Sequence, residues 1–171
     1  MKLSFRPSLL KRRTTKALFV VLHHTSELYD QTEAFIDSPA FQLPYLVNGV
    51  MEQKTIDINY HFVVERVRDD FQVFSCMPLS YICKWTDIPK SINNGSIHIA
   101  VLGNYNVVMP LPRLYEVLAY RCINPLMKTL KLPVSRLKFH REISTDKELD
   151  CPGIFLKKHL LISQMRRFVI V

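Results

Sequence analysis

Residues 17–24 read Ala-Leu-Phe-Val-Val-Leu-His-His, and the fold is decided by how this stretch is read. Ala17–Leu22 is a continuous apolar run containing two valines, bounded by Lys16 and by His23. It is too short for a typical helix and rich in β-branched side chains, so it predicts a buried strand. His23 directly follows the run. Strand ends in layered α/β proteins put side chains at the rim of a rigid sheet, where sites are usually built.

Working outward, Glu33–Gly49 is mixed in character and predicts a short helix broken around Pro39 and Pro44, with Val47–Gln53 adding a further helical turn. Asn59–Arg68 alternates as a strand does, and Phe71–Phe74 is its expected hairpin partner across Asp69-Asp70. Ser96–Leu102 (SIHIAVL) is another apolar strand, closed by Gly103-Asn104. In Leu111–Leu130 the apolar residues Leu114, Val117, Leu118, Ile123 and Leu126 recur at helical spacing, and Pro125 is expected to kink or end that helix. Leu137–Phe139 is a short strand leading into His140, and Phe155–Arg167 reads as a C-terminal helix after Cys151-Pro152-Gly153. Strands separated by helices predict a single α/β domain with a central mixed sheet flanked by helices. The expected division is a basic lead-in over residues 1–16 and one domain over 17–171.

Composition narrows the function classes. A chain of 171 residues can bury a proper core, and 48% hydrophobic with 22% charged residues is ordinary for a globular protein. Only 4 glycines are present, which argues against a glycine-rich phosphate cradle. The 23 Lys and Arg against 15 Asp and Glu give a formal charge of +8, which draws the protein toward polyanions such as nucleic acid, anionic lipid or anionic cell-wall polymer. No helix with a basic reading face and no aromatic-basic stripe is evident, so specific nucleic-acid binding is not expected. No run approaches the roughly 20 apolar residues of a membrane span. The N-terminus, MKLSFRPSLLKRR, has no long apolar region and no small-residue cleavage site, so the expectation is a protein made in the cytoplasm without a signal peptide. Cys76, Cys83, Cys122 and Cys151 lack a framework spacing and are expected to be free or metal-bound.

The chemistry-bearing residues are His23, His140 and Cys151. Two imidazoles and a thiolate suit zinc and leave a fourth tetrahedral position for water, the arrangement of a catalytic site. By residue type alone the competing reading is hydrogen-bonded rim histidines and a small buried cysteine.

The segments VVLHHT, NYHFVVER, SIHIAVLGNY and FHREISTDKELDCPG occur in that order. Together they resemble the zinc-dependent N-acetylmuramoyl-L-alanine amidase family, which includes phage amidase endolysins and peptidoglycan-recognition proteins. The resemblance runs from about Ala17 to about Leu160. It implies a mixed sheet flanked by helices, a shallow groove for glycan and stem peptide, and Zn2+ held by His23, His140 and Cys151. It matches Tyr60 to the tyrosine that lies beside the reacting water in hydrolytic members; a phenol can donate to a developing oxyanion or steer the water. His24 and His61 are expected to be structural.

Two departures stand out. Catalytic members carry Lys or Thr two residues before the last ligand, where this chain has Leu149. Some relatives carry Glu on the strand that here reads SIHIAVL, at the position of Ala100. Lys147, or next Thr145, is the expected replacement donor from the loop, with His98 behind them. The resulting expectation is a monomeric peptidoglycan amidase of the endolysin type, acting on glycan strand plus stem peptide. The rivals are a recognition module that binds peptidoglycan without cutting it and a cytoplasmic amidase that recycles muropeptides.

Overall fold

The structure is a computed structural model and describes residues 11–25 and 60–167. The expected helical segments within Glu33–Gly49 and Val47–Gln53 lie outside the described residues. The described elements are β1 (Phe19–His24), β2 (Phe62–Val67), β3 (Asp70–Ser75), α1 (Lys90–Asn93), β4 (Ser96–Val101), α2 (Pro112–Val117), α3 (Asn124–Leu130), β5 (Leu137–Phe139) and α4 (Lys158–Arg167). They form one five-stranded mixed sheet in the order β3-β2-β4-β1-β5. β2, β4, β1 and β5 run parallel to their neighbours, and β3 closes the β2 edge as an antiparallel hairpin partner.

The central strands are buried on both faces, which is why their sequences read as apolar runs rather than alternations. One face presents Val20, Leu22, Ile97, Ile99, Val64, Leu137 and Phe139 to a layer of helices, packed against Leu114, Leu118, Ile123, Leu161 and Met165. Burial of this apolar area is the main stabilising term. The opposite face carries His23, His98, Ala100, Val63 and Glu65: the register pairs Val21 with His98, His23 with Ala100, and Ala100 with Val63. The helical layer therefore supplies the core and leaves the other face for chemistry.

Several boundaries differ from the sequence expectation, three of them with consequences for the site or the packing. β1 does not stop at Leu22 but continues through His24, held by pairing with Ala100 and Val101. His23 is thus an in-strand residue with a face defined by the pleat, not a rim residue beyond it. The helix over 111–130 does not end at Pro125. A π-helical stretch, Leu118–Ile123, joins α2 to α3, and Pro125 falls in the first turn of α3. Proline has no N–H to donate, and the wider π turn accommodates that loss ahead of it. The C-terminal helix begins at Lys158 rather than Phe155, because Phe155 N–H donates to the Tyr105 carbonyl instead of starting the helix. The hairpin forms, but its turn is Arg68-Asp69 rather than Asp69-Asp70: Asp70 already pairs with Val67, and Arg68 takes the positive φ of +55°.

The described part of the basic lead-in is tied to the domain. Arg13 donates to the carbonyls of Leu79, Asn94, Tyr81 and Ser96. No described helix is long and apolar enough to cross a membrane.

Candidate metal centre

Three elements deliver one donor atom each to a single point. His23 comes from β1, His140 from the turn that follows β5, and Cys151 from the Cys-Pro-Gly turn. Their ligand atoms all lie within 4.8 Å of one another, and all three residues are buried. His23 Nδ1 is 3.9 Å from Cys151 Sγ. In a tetrahedral zinc site with Zn–N near 2.0–2.1 Å and Zn–S near 2.3 Å, neighbouring ligands sit about 3.3–3.8 Å apart. The observed spacing is within about an ångström of that, so the donor set fits zinc both in chemistry and in separation.

The local chain explains why these atoms converge. β1 lies between β4 and β5, which brings His23 beside the turn at the end of β5. That turn is held by Glu142, whose carboxylate accepts from the Phe139 backbone N–H at 2.6 Å and from Lys158 at 2.6 Å. Arg141 donates to the carbonyls of Asp150 and Gly153, clamping the segment that carries Cys151, and its own N–H donates to the Cys151 carbonyl. The Cys151-Pro152 peptide is cis. Gly153 has φ +103°, and a Cβ there would lie 2.6 Å from the Tyr105 Cβ, so only glycine closes this turn against Tyr105. The His24 backbone N–H points at Cys151 Sγ at 3.4 Å, a contact that favours a thiolate.

The electrostatics suit ligation. Burial lowers the pKa of His23 well below its ordinary value, and the neighbouring His98 and His140 add to the effect. Burial also lowers His140, opposed by Asp87. Both rings are thus neutral and present lone pairs. Burial pushes the Cys151 thiol up to about 12 in the absence of a metal, so binding a cation there would release a proton.

Around the donors sit groups that the sequence reading did not single out. Trp85 stacks on His23 with ring centroids 4.4 Å apart and meets His140 edge-on at 4.8 Å. Asp87 Oδ2 lies 2.8 Å from His140 Nε2, although not aligned as a hydrogen bond, and accepts from the Ser144 hydroxyl at 2.7 Å. Asn93 closes a chain of contacts to His23 through His98. The available signals were the single tryptophan and the polar run Lys84–Asn94, but neither has a spacing that points to the histidines.

The other sequence candidates fall as follows. Tyr60 lies beside the cluster, its ring 5.5 Å from that of His23 and edge-on to it. Thr145 is exposed, and its hydroxyl and N–H both donate to the Asp87 carbonyl. Lys147 is exposed and Leu149 partly buried. His98 is fully buried, its ring nitrogens facing His23 and Asn93. His24 faces the helical layer and accepts from the Tyr105 N–H. His61 is buried with its Nε2 on the Tyr81 carbonyl. Both are structural. The four cysteines are free, with Cys76, Cys83 and Cys122 away from the ligand cluster.

The family described as N-acetylmuramoyl-L-alanine amidase matches residues 13–154. No curated protein matches the chain in sequence. Among solved structures, the fold is similar to the N-acetylmuramoyl-L-alanine amidase LysC from Clostridium intestinale, at TM-score 0.63 and 18% identity, covering 91% of this chain and 93% of that one. It is similar to the Ph2119 endolysin of a Thermus scotoductus bacteriophage, at TM-score 0.61 and 22% identity, covering 92% and 90%. It is also similar to Drosophila PGRP-LB, at TM-score 0.61 and 19% identity, covering 84% and 79%.

Proposed function

The chain belongs to the N-acetylmuramoyl-L-alanine amidase family, and from that membership we propose that it hydrolyses the amide joining N-acetylmuramic acid to L-alanine in peptidoglycan, with zinc as its metal. The observation that carries this reading is the convergence of His23, His140 and Cys151 on one point. These three residues would hold the ion, and the ion when bound would supply Lewis acidity for attack on the lactyl carbonyl.

The chain's own groups do the rest. His23 and His140 are held neutral and fixed in direction, and Trp85 covers the His23 ring and keeps water off that side. Tyr60 stands beside His23 with a hydroxyl suited to orienting the attacking water or donating to the oxyanion. Lys147 is the residue of the 140–151 loop with both the reach and the full charge to serve as the second oxyanion donor, ahead of Thr145, whose hydroxyl is engaged by the Asp87 carbonyl. We place this activity in a phage endolysin, made in the host cytoplasm and acting on the wall at lysis; the fold likeness to the Ph2119 endolysin supports that setting, and the +8 charge supports attraction to anionic wall polymer.

A second reading, peptidoglycan recognition without cleavage, is favoured by Leu149, an apolar side chain at the position where catalytic members of the family usually carry Lys or Thr. One experiment separates the two. Purified peptidoglycan is incubated with the protein in the presence and absence of a chelator, and released stem peptides are measured by mass spectrometry. Release with a free L-alanine amine, lost on chelation and restored by zinc, supports the amidase. Sedimentation with peptidoglycan and no release supports the recognition module.

A further inference from the structure

The contacts behind His23 determine which of its nitrogens carries the proton. Asn93 is buried, and its Nδ2 donates to the Cys83 backbone carbonyl at 2.8 Å. A carbonyl only accepts, so the other amide atom facing inward is Oδ1, and it lies 2.9 Å from His98 Nε2. An amide oxygen also only accepts, so His98 Nε2 carries the hydrogen. A neutral imidazole has one N–H, which leaves His98 Nδ1 as a bare lone pair. That lone pair lies 2.9 Å from His23 Nε2, so Nε2 is the donor of that ring. His23 Nδ1 is then unprotonated, and it is the nitrogen that faces Cys151 Sγ.

Both rings are completely buried, where an unpaired charge is costly, so each is neutral. The surrounding network agrees with it. His61 Nδ1 accepts from the His98 backbone N–H at 3.0 Å and lies 3.3 Å from Cys83 Sγ, while its Nε2 donates to the Tyr81 carbonyl at 3.1 Å. This second imidazole has its tautomer set by backbone groups at both ends. It anchors the strand position of His98 and the segment carrying the Cys83 carbonyl, the two groups between which Asn93 is suspended.

We propose that Asn93 and His98 are positioning residues that lock His23 into the Nε2–H tautomer, so that Nδ1 presents its lone pair at the ligand position before any metal arrives. The inference rests on the reading of His23 as a metal ligand. Isolated imidazoles exchange freely between two tautomers and two ring orientations, and only one combination points a lone pair at Cys151. Locking that combination removes the ordering cost from the binding step. Outer partners of metal-binding histidines commonly contribute about 10–100-fold in affinity in this way.

The test begins with the metal-free protein. Two-bond 1H–15N correlation spectra at neutral pH report the tautomer of each imidazole. The expected result is a single tautomer for His23, protonated at Nε2. Protonation at Nδ1, or an average of the two forms, overturns the proposal, and this measurement needs no variant to fold. Asn93→Leu should release the tautomer and weaken zinc binding by about 10–100-fold in a chelator competition. A folded Asn93→Leu protein with both properties unchanged overturns the proposal. The outcome is separable from that of the amidase reading: the tautomer can be as expected in a protein that cuts nothing, and a protein that cuts peptidoglycan with zinc can have an unlocked His23.

Discussion

Replacing Glu65 with Gln should remove a pH dependence from the stability of the fold. Glu65 is on β2, on the sheet face that carries Val63 and Ala100, and is only 1% exposed. Its Oε2 is buried without a hydrogen-bond partner among the described residues. Burial raises its carboxyl from 4.5 to about 7, because an unpaired carboxylate in apolar surroundings loses more hydration than it gains. The folded protein therefore holds this proton more tightly than the unfolded chain does. Stability from this group is complete below pH 4.5, falls as pH rises toward 7, and is level above that. At 1.36 kcal/mol per tenfold change the full difference is at most about 3.4 kcal/mol, and allowing for residual solvent screening leaves roughly 1.5–2 kcal/mol. Gln has nearly the same volume and cannot ionise. Urea unfolding of both proteins at several pH values from 4.5 to 8 gives the stability difference between them, in which other titrating groups cancel. Glu65→Gln should gain about 1.5–2 kcal/mol on the wild type between the two ends of that range, with unchanged m-values. Parallel stability curves across the range would show that the carboxyl is already paired or solvated, and the desolvation argument would be wrong.

His140→Ala should bind less than stoichiometric zinc by elemental analysis, and wild-type protein should melt higher with zinc than without, because a ligand bound only by the folded state stabilises it; full zinc in the variant would remove His140 from the ligand set. Tyr60→Phe should fold and bind metal as wild type but turn over peptidoglycan ~100-fold more slowly, and equal rates would remove the hydroxyl from the mechanism. Gly153→Ala should destabilise the protein by roughly 2–4 kcal/mol, read by urea unfolding, since its Cβ collides with Tyr105 at a left-handed backbone position; a near-neutral change would mean that the turn can relax. Lys147→Ala should lower the rate ~100-fold if Lys147 donates to the oxyanion, while Thr145→Ala should cost only a few-fold; small effects in both would locate the donor outside this loop.

The central strands were legible in the sequence because each depends on local pattern, and the three candidate donors were legible through the resemblance of the segments that carry them to a known family. Apolar runs bounded by polar residues mark β1 and β4 wherever the chain places them, and the hairpin after Val67 is a contact between neighbours. The order of short motifs from His23 to Cys151 was likewise visible along one dimension, and the structure brings those three residues to one point. Other features had no one-dimensional signature. That β1 extends to include His23 is decided by pairing with Ala100, which is 77 positions away in the chain. The π-helical join at Leu118–Ile123, which carries the helix on to Pro125, has no spacing signal in the apolar pattern. Trp85, Asp87 and Asn93 belong to the site only because the segment before β4 folds over the sheet face carrying His23 and His98. Residue type and ordered motifs in the sequence can point to donors that a metal needs. The groups that aim those donors act through single hydrogen bonds and ring contacts between distant segments, and those contacts exist only once the sheet has been assembled.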